Sequence, residues 1–401
     1  MGEAEPGMTL PLSGLRILSV EQYGAGPYGT MFLAQLGAEV IKIEPPGTGD
    51  SSRRTGPHFL GEADSLFYQS FNLNKRSMTL DLKAAAGQRI LQALVGTADA
   101  VTNNARGDQA AKLGLDYAAL GAARPAIVCV HVSAYGRDNE RAGWPGYDYL
   151  MQAEAGFMSV TGDPEGPPVR FGLSMVDYIT GTMMATTALA GILGARATGI
   201  GGDFDVSLLD AALHQTSYPA YWYLNAGHEI GRASASAHPS VVPSQLIEAA
   251  DGHIFVMAQL PKFWERLARE LGLAHLLEDP RFADMPARLA NRAALIEEIE
   301  AVTRTRPAAH WVSVLGGKVP VAEVKTLAQA LDAAEPRDNG MIETISHRQG
   351  PLTVLSSPVR MAGARLPNRA GPALGADTRA LLAEIGIGDA EADALRADGV
   401  I

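Results

Sequence analysis

Short apolar runs separated by glycine-rich turns organise the first half of the chain. LRILSVE (15–21) reads as a buried strand and leads into the turn YGAGPYG. A helix is predicted to run to about Leu36 and stop at Gly37, and AEVIKIE (38–44) is predicted as a second strand. Pro27 near the first helical turn and a glycine just past the end suit such a β–α–β unit. A loop rich in Gly, Pro and Arg covers 45–62. SMTLDLK (77–83) and ADAVTNN (98–104) read as strand-and-turn pieces joined by a helix over 84–96. PAIVCVHVSAYG (125–136) is a continuous apolar strand, as expected when a parallel sheet is covered on both faces.

A helix is predicted around 147–157 and a longer Ala/Thr/Met/Leu helix over 178–196. GGDFDVSLLDAALH then gives a strand feeding a helix, and SYPAYWYLNAG gathers many of the aromatic residues. From about 213 the texture changes to small polar residues, the strand DGHIFVMAQ, and helices rich in Arg, Glu and Leu up to about 330. The tail returns to strands and one helix. The expected fold is α/β, with a large Rossmann-like domain on a parallel-rich sheet (1–212 and 330–401) and a smaller α+β domain (213–329).

Composition narrows the function classes. The 401 residues are 47% hydrophobic and 19% charged, ample for a core. No uninterrupted apolar stretch reaches the roughly 20 residues that span a bilayer, so no membrane partner is expected. The acidic start lacks a secretory pattern, and Pro6 stands where an acylation site needs Ser or Thr. The single cysteine, Cys129, lies in an apolar run and is expected in the core. One cysteine excludes an intrachain disulfide and cysteine-based metal clusters, which fits a cytoplasmic setting. A formal charge of −11 argues against a nucleic-acid partner.

Gly24-Ala25-Gly26-Pro27-Tyr28-Gly29 matches the dinucleotide fingerprint between a strand and a helix, and Glu44 stands where a ribose-binding carboxylate would. Three readings stay open: a turn for close helix packing, a contact with coenzyme A, or an NAD site. Pro27 weakens the last, because it removes a backbone donor from the turn that would hold the pyrophosphate.

Further blocks follow in order: FNLNKRSMTLDLK, LGLDYAAL, PGYDYLMQAEAG, MSVTGDPEGPPVRFGLSMVDYITG and GGDFDVSLLDAAL. With the opening segment PLSGLRILSVEQYGAGPYG they resemble the class III CoA transferases, which include formyl-CoA and carnitine CoA transferases and α-methylacyl-CoA racemases. The resemblance spans roughly 12–215 and loosens beyond. It implies an enzyme that moves CoA between carboxylic acids with Asp177 as nucleophile. CoA contacts are implied at Gly24, Ala25, Leu80, Lys83 and Asn104, and phosphate contacts at Lys112. Asn103-Asn104-Ala105-Arg106-Gly107-Asp108 keeps Asn104 and Arg106 of the family's motif but has Ala105 where an aromatic is usual. Racemases carry a histidine where this chain has Tyr147, so a second acid/base group for racemisation is missing. Asp148 matches an acidic position that supports catalysis. The glycine-rich loop of formyl-CoA transferases has no counterpart in 229–252, so formyl and oxalyl substrates are not expected. An interlocked homodimer is implied, with acyl-CoA and small carboxylic acids as ligands.

The chemistry needs no metal, nucleotide or redox cofactor, and no Cys/His ligand cluster or Walker sequence is present. Read alone, Asp177 is also a good helix N-cap, a role compatible with the nucleophile. Arg53 and Arg54 could meet adenosine phosphates or lie in a solvated loop. His214, His238 and the group Tyr218, Tyr221, Trp222 and Tyr223 read more simply as packing or surface residues.

Overall fold

The computed structural model describes residues 9–401, so the opening residues read above for targeting signals lie mostly outside it. The chain forms two compact units. The first comprises Met1–Ala155, Phe171–Ser217 and Ala334–Ile401, and the second Gly156–Arg170 with Tyr218–Ala333. The second unit thus begins later than the expected 213 and also takes in the turn at 156–170.

In the first unit, β1 (Arg16–Val20) leads into helix α1 (Ala25–Gln35) and β2 (Glu39–Glu44). Then come β3 (Arg76–Thr79), α2 (Ala85–Val95), β4 (Ala100–Asn103) and β5 (Val128–Ser133). Helices α3 (Asp148–Glu154) and α4 (Met175–Thr198), strand β6 (Gly202–Ser207) and α5 (Leu208–Gln215) complete the central chain path. The six strands are all parallel, in the order β3-β2-β1-β4-β5-β6. That is the doubly wound Rossmann order, with a reversal between β1 and β4.

Apolar continuity explains the sheet: every residue of β4 and β5 is buried, Cys129 among them. Leu18, Ile41, Met78 and Val101 join Leu91 and Leu94 of α2 in one core. Leu381, Leu382, Val400 and Ile401 complete it, so the chain's last residues belong to the main unit. The tail forms two helices here, Thr378–Glu384 and Asp389–Ala397, where the sequence suggested one. It also closes the β3 edge: Ser77 N–H donates to Asp377 Oδ2 (2.9 Å) and Thr79 N–H to Thr378 Oγ1 (3.0 Å). Such capping removes a row of unpaired backbone groups from the sheet edge. At the opposite edge, β6 carries Asp203 and Asp205, paired with His131 and Arg137.

Helix α4 crosses α1 at two glycines. A Cβ on Gly29 would overlap the Gly181 carbonyl, and one on Gly181 would overlap the Ala25 carbonyl. Further along, Gly191 packs against Val128 and Phe204 of the sheet. By length and composition α4 is apolar enough to cross a membrane, which the sequence reading did not flag. Its glycine face is nevertheless packed on α1 and the sheet.

The second unit has an antiparallel three-stranded sheet of Ser244–Ala249, Gly252–Met257 and Val321–Glu323. Its core combines Ile247 and Ile254 with Trp264, Phe282, Leu295 and Trp311 from the covering helices.

Gly29→Ala should lower unfolding free energy by about 1–3 kcal/mol, the scale of overpacking against an immovable backbone. Gly194→Ala, on the same α4 but with open space around it, should be neutral or stabilising. Urea titration of both variants checks the pair.

Candidate active site

Beyond the carboxyl ends of β1, β4 and β5 lies a cavity of about 780 Å³. Its walls come from the turn after β1 (Tyr23, Gly24), the turn after β4 (Asn104, Ala105), the end of β5 and the start of α4. This is the reversal point of the strand order, where open α/β sheets bind ligands.

The turn after β1 is held from below. Lys42 and Asp50, both fully buried, form an ion pair at 2.7 Å. Lys42 Nζ also donates to the Glu21 carbonyl (2.8 Å), and Asp50 Oδ1 accepts from Tyr23 N–H (3.1 Å) and Ser52 N–H (2.8 Å). Burial pushes the Asp50 carboxyl up, but Lys42 and the Ser52 donors outweigh it and keep it below the usual range. The clamp fixes Tyr23 at φ +71°, a left-handed conformation uncommon outside glycine. Asn104 grips the same turn: its Oδ1 accepts from Gln22 N–H (2.9 Å) and its Nδ2 donates to the Gln22 carbonyl (2.6 Å).

Gly24 is thereby pressed against Asp177. A Cβ at Gly24 would overlap Asp177 Oδ2, so only glycine admits the carboxylate here. Asp177 is in the first turn of α4, whose N-cap is Ser174; the carboxylate is therefore not the cap itself. Its backbone N–H donates to Asp148 Oδ2 (2.9 Å), and Gln152 Nε2 donates to Asp148 Oδ1 (2.6 Å). Burial and the like charge of Asp148 push the Asp177 carboxyl from 3.8 up to about 7. A carboxylate so poorly solvated, on the wall of a ligand-sized cavity, has the character of a reactive group rather than a structural one.

Comparisons with known proteins place the chain in a family. The sequence profile of CoA-transferase family III matches residues 12–378. The chain belongs to CoA-transferase family III. Succinate–glutarate CoA-transferase of Agrobacterium fabrum is 34% identical over 74% of this chain and 76% of that one. Acetyl-CoA:oxalate CoA-transferase of Acetobacter aceti is 31% identical over 88% and 90%. Among solved structures, a CAIB/BAIF family protein from Brucella suis superposes with a TM-score of 0.81, at 30% identity over 94% of this chain and all of that one.

In this family III chain, Gly24, Ala25, Lys83, Asn104, Arg106, Tyr147 and Asp177 all line the one cavity. Asp148 is buried beside it at the α4 N-terminus. Leu80 and Lys112 are not among its lining residues. Leu80 is 2% exposed within the sheet core, because its position continues the buried face of β3. Lys112 points to solvent and pairs with Asp108 (2.9 Å), which also takes Arg106 (2.8 Å). Arg53 is neither solvated nor facing the cavity: it is fully buried, bound through two nitrogens to Glu44 at 2.7 Å each. Arg54 folds back onto the carbonyls of Gly47 and Thr48. Glu44 is thus consumed in a buried pair and is not free for a ribose. A Cβ on Gly26 would overlap the Glu21 side chain and one on Gly29 the Gly181 carbonyl of α4, so these two glycines of the fingerprint serve protein packing.

Sequence reading missed Tyr23 and Trp144 on the cavity wall, and the Lys42–Asp50 clamp. A charged residue at the centre of an apolar strand, as in VIKIE, was the available signal for the clamp. Among the described residues, no group of three or more His, Cys, Asp or Glu could hold a metal ion.

Asp177 binds its proton more tightly in the folded state than in the unfolded chain. Between about pH 4 and 7 the folded state therefore holds the extra proton, and stability falls as pH rises through that window. Asp177→Asn should match the wild-type Tm near pH 4 and exceed it by a few degrees at pH 8, as measured by calorimetry.

Proposed function

We propose that this chain transfers CoA from an acyl-CoA to a small carboxylic acid through covalent intermediates on Asp177. The observation that carries the reading is the desolvated Asp177 carboxylate seated against Gly24 on the cavity wall. Its oxygen attacks the thioester carbonyl, giving a mixed anhydride and CoA thiolate. The thiolate attacks the aspartyl carbonyl, releases the donor acid and leaves an aspartyl–CoA thioester. The acceptor carboxylate then displaces the thiolate to form a second anhydride. Return of the thiolate to the acyl carbon gives the new acyl-CoA and free Asp177. Every step keeps the acyl group activated, so no external energy source is required.

The surroundings support this use. An incompletely solvated carboxylate is a stronger nucleophile than one in water, and the cavity shields it. The first turn of α1 opens beside Gly24, and the backbone N–H groups of Ala25 and Gly26 are the donors we assign to the tetrahedral oxyanion, since Pro27 has none and the Tyr28 N–H is bonded to the Gly24 carbonyl. Asp148 orients the start of α4 through the Asp177 N–H, and its like charge adds to burial in pushing the Asp177 carboxyl up. Tyr147 reaches the cavity with an exposed ring, and a phenol there does not replace the imidazole that the second face of a racemisation would use. An NAD reading loses its ribose carboxylate, because Glu44 is spent on Arg53.

Relatives are named for succinate, glutarate and oxalate, which makes short dicarboxylates the first acids to test here. Oxalate stays in the panel even though the formyl-CoA transferase loop has no counterpart. We also infer pairing of two copies in an interlocked homodimer; exposed Leu193, Ile200 and Leu213 supply apolar surface for it. Light scattering should give twice the 42.2 kDa chain mass, and a monomer would refute that part.

Incubation with succinyl-CoA, glutaryl-CoA and oxalyl-CoA, followed by hydroxylamine, should yield a mass adduct at Asp177. Asp177→Ala should give none and lose at least about 10³-fold in turnover, as expected for removing a covalent nucleophile. The rate of adduct formation should rise with pH through about 7, as the carboxyl ionises. Adduct-free turnover in the variant would end the covalent proposal.

A further inference from the structure

Trp144 is 54% exposed, an unusual state for so large an apolar ring, and its exposed surface lies on the cavity wall. It is firmly placed. The Arg141 guanidinium lies 4.7 Å from the indole centroid and 3.6 Å from that of Tyr135, and Tyr135 meets the indole edge-on at 6.1 Å. Arg141 is in turn fixed by both carboxylate oxygens of Glu154 at 2.7 Å. Trp144 N–H closes its own turn onto the Arg141 carbonyl (2.9 Å). Exposed aromatic rings held this way are prepared for a partner rather than left over from packing.

The loop bearing Trp144 is stitched to the turn after β4. Asp108 N–H donates to the Ala142 carbonyl (3.3 Å), and Gly107 approaches the Gly136 and Ala142 carbonyls so closely that no side chain fits. From that turn, Ala105 lines the same cavity and occupies it with only a methyl group. Arg106 and Lys83 line the cavity too. An indole face, free space, and a guanidinium and an ammonium nearby match one kind of ligand fragment: a flat heterocycle carrying phosphates. In a CoA this is the adenosine bisphosphate end. The chain's net charge of −11 makes such local cations the more necessary.

We propose that Trp144 is the stacking platform for the purine of CoA, with Ala105 making room for the ring and Arg106 and Lys83 meeting the phosphates. The proposal rests on the CoA-transfer reading above. Arg106 is held by both oxygens of Asp108, so phosphate would meet a guanidinium already oriented by a carboxylate.

The test titrates CoA, and separately adenosine 3′,5′-bisphosphate, into wild type, Trp144→Phe and Trp144→Ala, by calorimetry and indole fluorescence. Trp144→Ala should weaken CoA binding roughly 5- to 150-fold, the range for one base–aromatic stack; Trp144→Phe should fall between. Both ligands should quench wild-type fluorescence, and Trp144→Phe should lose that quench while the other three tryptophans, Trp222, Trp264 and Trp311, go on emitting. Equal CoA affinity in all three proteins would overturn the platform. A weakened CoA affinity without any quench by the bisphosphate would place the indole on the pantetheine arm and overturn the purine assignment. Trp144→Phe keeps an aromatic ring, so its lost quench reads the contact even if the alanine variant is unstable. A wild type that forms the Asp177 adduct while all three proteins bind CoA alike sinks only this inference. A wild type with neither adduct nor CoA binding sinks the transferase reading itself.

Discussion

The buried Lys42–Asp50 ion pair is the constraint on which the cavity depends. It lies beneath the turn after β1 and bonds to it on both sides, at the Glu21 carbonyl and the Tyr23 N–H. Removing one partner would strand a charge in the interior, a loss of about 3–5 kcal/mol. The pair is a weak source of net stability for the same reason. Its use is geometric: it keeps Tyr23 in a left-handed conformation and holds Gly24 where a carboxylate can touch it.

From that fixed turn the rest of the site follows. Gly24 allows Asp177 to approach, while Gly29 and Gly181 let α1 and α4 cross with their backbones nearly in contact. The crossing sets the carboxylate at the end of the sheet, mostly covered by protein and close to the charge of Asp148. A carboxyl raised to about 7 is destabilised as an anion. The fold sustains this strain because its main core, from Leu18 and Ile41 to Leu381 and Ile401, is built from residues other than those of the site. Reactivity is thus bought with packing energy accumulated elsewhere.

The tail has a comparable structural role at the far side of the sheet. Residues 377–378 satisfy the free edge of β3, and the final valine and isoleucine fill the core beneath α2. The first unit is discontinuous in sequence, interrupted by the second at Gly156–Arg170 and again at Tyr218–Ala333.

Local order in the chain was enough to determine the alternation of strands and helices, the parallel sheet and the placement of Asp177 at the start of a long helix. Apolar runs of strand length and glycine-bounded helices carry that information in adjacent residues. The strand order, the cavity at its reversal and the company Asp177 keeps were decided only by tertiary structure. Arg53 shows why: a Gly/Pro loop looks solvated in sequence, yet chain folding brings Glu44 to it and buries both. Leu80 and Lys112 show the converse, since a matched motif position does not state which way its side chain faces. The glycine fingerprint was legible as a motif, but its use was not. Whether a missing Cβ makes room for a pyrophosphate or for Asp177 depends on a helix that lies some 150 residues further along the chain, and no local pattern encodes that contact.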